Sequence, residues 1–232
     1  MLNLVLAEAA LEIVPENLWS HPAVRNHSKR RDRPPNQLLL DRSLHHAAMK
    51  NLRNSEKRGR PDIIHFVLLE VLGSPLNRRG HLKVYVHTIK DYVITVDSTT
   101  RLPRNYNRFI GLIEKLFQRN RVPDEGKTLL KLDNKTLQQL LTEIGADYVL
   151  AFSRHGNPRT LQNVVPKLLT KKNPAVVIGG FPHNHFLKTT QDIVDEVVCI
   201  DPEMLDAWTV ASRVIYEYEC ALASLSQRLQ AT

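Results

Sequence analysis

Ala175-Val176-Val177-Ile178-Gly179-Gly180-Phe181-Pro182-His183 is the stretch on which the fold turns. Four apolar residues run together with no polar alternation, and two glycines stop them. Such a run is the pattern of a strand buried on both faces, as strands of parallel sheets are. Working outward, the same punctuation recurs. Tyr148–Phe152 is a second apolar strand, and Gln162–Leu169 a short helix between the two. Upstream, Leu129–Leu132 is a strand candidate and Thr136–Glu143 a helix closed by Gly145. Downstream, Ile193–Ile200 is a strand. A last helix follows from about Glu203 to Leu229, with Leu205, Trp208, Ser212, Ile215, Tyr218, Leu222 and Leu225 on one face. Strands alternating with helices predict an α/β domain with a mostly parallel sheet.

The N-terminal half is less regular. Leu2–Leu6 reads as a buried strand. Glu16–Asn36 is polar and broken by Pro22, Pro34 and Pro35, which suggests mostly loop with a short helix. Ser43–Leu52 looks helical, with Ser43 as candidate N-cap. Pro61 opens another helix, with Asp62 in its first turn, where a negative charge suits the dipole. His81–His87 and Val93–Val96 read as strands, and Phe109–Phe117 as the apolar stripe of a helix. The polar loop 121–127 looks like a boundary between an N-terminal and a C-terminal part.

The chain has 232 residues, 42% hydrophobic and 24% charged, the composition of an ordinary globular protein. Two cysteines, Cys199 and Cys220, exclude a disulfide scaffold and a four-cysteine zinc site. No uncharged run suggests a membrane span, and the first fifteen residues lack a basic signal-peptide segment. The expectation is a soluble, cytoplasmic protein. The formal charge is +8, and its distribution is uneven. Residues 25–60 hold eleven basic residues against Asp32, Asp41 and Glu56, so this segment alone carries +8. Residues 101–121 add six basic residues against Glu114. Such localisation points to a polyanion, most economically a nucleic acid; the bland alternative is a solvated basic face.

No GxGxxG follows a strand, and GxxxxGK[ST] is absent, so a standard dinucleotide or P-loop site has no support. The histidines lack zinc spacing, and no metal is expected. What remains is a set of three loops after strands: Phe152–Gly156, Gly179–His183 and Ile200–Leu205. Ligands of parallel α/β sheets bind beyond the carboxyl ends of the strands. Glycines there allow positive φ and close backbone approach; a tight turn is the competing reading. Arg60 and Asp62 place a guanidinium and a carboxylate together at a helix start, where the Asp can hold the Arg. Arg101, Arg104 and Arg108 are spaced three and four apart. If a helix begins near Arg104, Arg104 and Arg108 share one face of it. Arginine-rich contacts favour specific phosphate or base recognition.

Several strings carry a resemblance: Leu39-Leu40-Asp41 with His45-His46 and Ala48-Met49, Arg58-Gly59-Arg60-Pro61-Asp62-Ile63, Ser74-Pro75-Leu76-Asn77, Thr100 to Phe109, and Ile178 to His183. Over nearly its whole length the chain resembles the archaeal and eukaryotic ribosome-biogenesis pseudouridine N1-methyltransferases of small-subunit rRNA. These belong to the SPOUT class of trefoil-knotted methyltransferases. The resemblance implies one α/β domain over 1–232, with a basic RNA-binding extension at 20–60 and a cofactor-binding knot region at 145–232. It implies S-adenosylmethionine as cofactor and a homodimer. It also implies a pseudouridine-containing rRNA hairpin as substrate, with ribosome-assembly proteins as further partners. By position, the cofactor pocket would use Leu150, Gly179, Gly180, His183, Asn184, His185, Phe186, Ile200, Asp201, Pro202, Glu203, Met204 and Leu205. RNA would be contacted by Arg60, Arg101, Arg104 and Arg108, with Asp62 orienting Arg60. The family often has Gly where this chain has Asn184, and Asn tolerates positive φ better than most residues. No residue is marked as the base for the N1 proton. Asp41, Asp62 and bulk water are all open, and no dedicated base is expected. The competing function is a non-catalytic rRNA-binding assembly factor; a third is methylation of tRNA.

Overall fold

The computed structural model describes residues 1–230, with side chains through Ser224, so the stripe position Leu225 lies outside the described side chains. The strands are β1 (Leu2–Ala9), β2 (Leu82–Thr88), β3 (Tyr92–Val96), β4 (Arg121–Val122), β5 (Leu130–Asn134), β6 (Tyr148–Pro158), β7 (Pro174–Gly179) and β8 (Glu196–Cys199). The helices are α1 (Pro22–Arg31), α2 (Arg42–His45), α3 (Pro61–Gly73), α4 (Pro75–Arg78), α5 (Tyr106–Arg119), α6 (Leu137–Glu143), α7 (Leu161–Leu169), α8 (Lys188–Gln191) and α9 (Ala207–Gln230). One sheet joins all eight strands in the order β4-β5-β3-β2-β1-β7-β6-β8. Strands β2, β1, β7, β6 and β8 run parallel to their neighbours, as the apolar runs predict. The other end, β2-β3-β5-β4, is antiparallel.

Both faces of the parallel part are covered, which is why its strands carry no polar alternation. One face packs Leu4, Leu6, Val84, Leu150 and Val176 against α3, α5, α7 and α9. The other packs Val5, Ala7, Ala151, Ala175 and Val177 against Leu137, Leu140 and Leu141 of α6, and against Phe186. A third, smaller core gathers Val14, Leu18, Val24, Leu38, Leu40, Met49 and Leu52 beneath the basic segment.

Four expectations change. Residues 16–36 contain a ten-residue helix, α1, because His21 caps it through Nδ1 and Pro22 opens it. Helix α2 is a single turn capped by Asp41, whose Oδ1 accepts from Ser43 N at 2.8 Å, so Asp41 and not Ser43 is the N-cap. Residues 121–127 are no boundary: β4 pairs with β5, and the connection stays within one sheet. The eighth strand is shorter than expected and the sixth longer. After Phe152, β6 continues to Pro158 and meets β8 a second time, with both Phe152 and Asn157 registering on Val198. A Cβ at Gly156 would sit 2.6 Å from the Val197 carbonyl, so only glycine permits this crossing. The chain folds back over β8 where the resemblance places the knot.

Candidate functional site

The middle of β6 and the loops after β7 and β8 close with the start of α9 around one cleft of about 260 Å³. That is close to the size of clefts that bind small molecules, about 300–1,000 Å³. Of the residues that the resemblance assigns to a pocket, Gly179, His183, Asn184, His185, Phe186, Ile200, Asp201, Glu203, Met204 and Leu205 line it, and so does Arg60.

Three predicted residues stand outside the walls. Leu150 is fully buried in the middle of β6, between β7 and β8, where the parallel ladder leaves no route to the cleft. Pro202 is exposed on the outer side of its loop. Gly180 faces β1: its N–H donates to the Ala7 carbonyl at 2.9 Å, and its own carbonyl accepts from Ala10 N at 2.7 Å. A Cβ there would lie 2.8 Å from Ala9 Cα. The positive φ expected of the glycine pair occurs at neither residue; it falls on Asn184, at 83°. The Asn184 side chain supports that turn by accepting from His185 N at 2.9 Å and donating to Glu56 at 3.2 Å.

Other walls come from Phe152, Ser153, Arg154, Asp206, Ala207 and Trp208. Arg154 lies in the stretch 152–156, which the sequence reads as a loop after a strand but which the structure continues as β6; Asp206 and Trp208 look like ordinary members of a helix start. Their only signal is adjacency to Ile200–Leu205. The lining carries both signs of charge. Asp201, Glu203 and Asp206 bring carboxylates to the lining, and Arg154 brings a guanidinium. Burial, the neighbouring His155, Arg154 and Lys57 all hold the His185 imidazole below its ordinary range.

Arg60 reaches the cleft from the start of α3. Its guanidinium grips Asp62 in a fork, Nε to Oδ1 at 2.8 Å and Nη2 to Oδ2 at 2.7 Å. This hydrogen bond raises the guanidinium's pKa further. Asp41 stands near the pair. Its Oδ2 accepts from the Tyr106 hydroxyl at 2.6 Å, and its Oδ1 from Ser43. Burial, then Asp41, pushes the Tyr106 phenol well above its usual value.

Arg101, Arg104 and Arg108 are exposed, and none has a side-chain partner among the described residues. Their spacing is not a helix face. Helix α5 begins at Tyr106, after the N-cap Asn105, whose Oδ1 accepts from Arg108 N at 3.1 Å. Arg104 therefore sits before the helix, in a shallow depression with Phe66, Glu70 and Trp208. Trp208 lines this depression and the cleft together, so it joins Arg104 to the cleft.

The other motif strings are structural. In Ser74–Asn77, the Ser74 hydroxyl caps α4, and the Asn77 amide donates to the Leu72 and Ser98 carbonyls. The basic segment is also less free than its charge suggests. Arg31 and Arg33 both bind the fully buried Glu114, Lys57 binds Glu8, and Arg58 binds Glu12.

The chain is similar to known proteins over nearly its whole length. A family model described as EMG1/NEP1 methyltransferase matches residues 4–219. Two relatives named ribosomal RNA small subunit methyltransferase Nep1 are close. That of Thermococcus kodakarensis is 46% identical over 96% of this chain and 99% of its own. That of Thermococcus sibiricus is 45% identical, also over 96% and 99%. A crystal structure of Archaeoglobus fulgidus Nep1 bound to S-adenosylhomocysteine superposes with a TM-score of 0.85 at 40% identity. It covers 95% of this chain and 98% of that one.

Proposed function

The chain belongs to the EMG1/NEP1 methyltransferase family, and from that premise we propose that it methylates N1 of a pseudouridine in a hairpin of small-subunit rRNA. It is an S-adenosylmethionine-dependent methyltransferase of small-subunit rRNA, as its relatives are named and as the bound product of its structural neighbour indicates. The observation that carries the finer reading is the meeting of the post-strand cleft with Arg60, Asp62 and the unpaired Arg104 at Trp208.

The cleft suits the cofactor chemically. Phe152, Ile178, Leu205 and Trp208 offer apolar walls for a purine, and Asp201, Glu203 and Asp206 complement the ammonium of the amino-acid tail and a ribose diol. When bound, the cofactor supplies a methyl carbon on a cationic sulfur, ready for in-line displacement. The protein's task is then orientation and exclusion of wrong geometries. Pseudouridine is joined to ribose through carbon, so its N1 is free to act as the nucleophile. Reaching the cleft requires the base to leave its stack. Arg101, Arg104 and Arg108 hold the flanking unpaired nucleotides, the targets of most sequence-specific RNA readers. Arg60, locked by Asp62, holds the flipped nucleotide's phosphate or base edge. The N1 proton leaves to water. Asp41 is buried with its oxygens taken by Tyr106 and Ser43, and Asp62 is engaged by Arg60.

The working form is a homodimer. Phe66 on α3 is 51% exposed and Tyr216 on α9 is 67% exposed, and these two helices pack side by side. Apolar side chains so placed are suited to an intersubunit contact. Phe66→Glu is expected to halve the mass measured by light scattering.

The test of function is methyl transfer to two hairpins that differ at one nucleotide, pseudouridine or uridine. Transfer to the first alone is expected, because uridine's N1 is blocked by ribose. Equal transfer to both overturns the N1 assignment. Calorimetric titration of S-adenosylhomocysteine tests the cleft, with Ala207→Phe filling its floor and abolishing the heat.

A further inference from the structure

The loop from Phe181 to Leu187 forms one wall of the cleft, and its attachments lead to two charged residues far away in sequence. Lys57 is 1% exposed and Glu8 is 1% exposed. The Lys57 ammonium binds the Glu8 carboxylate, donates to the His185 carbonyl at 2.7 Å, and stands 3.8 Å above the Phe181 ring. Glu8 uses its other oxygen, Oε1, to accept from Leu187 N at 2.8 Å. The loop is thus held at Phe181, His185 and Leu187 by one ion pair. Glu56, next to Lys57, adds the hydrogen bond to Asn184.

Glu8 is placed for this at a conformational cost. It adopts φ 51° at the end of β1, a left-handed backbone that non-glycine residues rarely take. Its own N–H is satisfied by His87 Nδ1 at 3.3 Å. A buried ammonium–carboxylate pair gains little stability over an apolar pair of similar volume. This one sits where its hydrogen bonds reach two backbone groups of a cofactor-loop wall. Such geometry suits fixing a conformation more than adding stability.

We propose that Lys57 and Glu8 are positioning residues that hold the 181–187 wall in its cofactor-binding shape, and so tie cofactor affinity to the basic segment that carries Lys57. The inference rests on the cleft being the S-adenosylmethionine site. Neither side chain lines the cleft, so both act through the loop.

The experiment uses the full-length protein and S-adenosylhomocysteine in calorimetric titration, beside steady-state methylation of the pseudouridine hairpin. Lys57→Met and Glu8→Gln are each expected to weaken S-adenosylhomocysteine binding at least tenfold. The loss should appear in KM for S-adenosylmethionine. KM for the hairpin, and kcat at saturating cofactor, should stay within threefold. A residue serving stability alone would lower the unfolding midpoint and leave the KM of the folded enzyme unchanged; that result overturns the proposal. Glu8→Gln keeps side-chain volume and the acceptor for Leu187 N, so it remains informative if Lys57→Met fails to fold. Wild-type protein that binds no S-adenosylhomocysteine overturns the cleft assignment itself. Wild-type binding with unaltered variants overturns only the role of Lys57 and Glu8.

Discussion

Asp41 and Asp62 lie close to the same arginine, yet the fold gives them different work. Asp41 is buried, caps α2 and accepts from Tyr106, so it ties the basic segment to α5. Asp62 is partly exposed and spends both oxygens on Arg60. Asp62→Asn keeps the shape and removes the charge that locks the guanidinium. Hydrogen bonds between charged groups contribute about 1.5–3 kcal/mol, so RNA affinity should fall by roughly tenfold. Turnover at saturating RNA should change far less, since Asp62 takes no proton in the reaction. A large loss of saturated turnover with unchanged RNA binding would refute this assignment. Gly180 teaches a different lesson. In the sequence it looks like a ligand-approach glycine, but the close approach is to Ala9. Gly180→Ala must push β1 and β7 apart, and overpacking of this kind costs about 1–3 kcal/mol. A fall in urea midpoint at constant m-value is the expected readout.

The elements themselves were legible to very different degrees, and the reason is physical. Strands β1 and β7 and the first half of β6, Tyr148–Phe152, are mostly apolar and buried, so burial writes them directly into the sequence. Helix α3 has Pro61 at its first position and an apolar run behind it. Helix α1 buries only Val24 and His27, so it has no apolar stripe to read. Its anchor is instead a pair of histidines. The His45 Nδ1 accepts from Asp41 N at 3.1 Å, which leaves its Nε2–H to donate to His27 Nδ1 at 3.0 Å. Both rings are neutral in this arrangement. Burial, then the neighbouring His27, holds His45 down at about 4. The unfolded chain takes up this proton near pH 6.5, while the native state refuses it until about pH 4. Stability from His45 is therefore complete above pH 6.5 and lost as pH falls through that window, by about 3 kcal/mol in all. Urea titrations of wild type and His45→Gln across pH 4–7 should show a shallower pH slope in the variant. Parallel slopes would show that the histidine pair does not anchor α1.

At the scale of the whole molecule, the charge map needs its partners before it can be read. Sequence alone concentrates the net charge in residues 25–60 and makes that segment look like an open RNA-binding arm. A linear count cannot see that Glu8, Glu12 and Glu114 are buried and that each receives cations from this segment. Much of the excess is internal wiring. The candidate cleft suffered the same limit in milder form. Loops at strand ends were legible, whereas Leu150, Gly180 and Trp208 took roles that depend on which strand neighbours which. The free cations nearest the proposed RNA path include Arg25, Lys29, Arg30, Lys50 and Arg53 in the segment, with Arg101, Arg104 and Arg108 beyond it; all are exposed and lack side-chain partners among the described residues. Counterion release sets the salt dependence of RNA binding at about 0.7 per neutralised phosphate for single strands, so if all eight reach phosphates they contribute about −6 to the log–log slope. Arg101→Ala or Arg104→Ala should reduce its magnitude by about 0.7 each. Arg31→Ala should leave the slope unchanged, because that guanidinium already serves Glu114. Fluorescence titrations of the hairpin between low and moderate salt measure all three. A slope that Arg31→Ala flattens would mean that the buried Glu114 releases its cation when RNA binds.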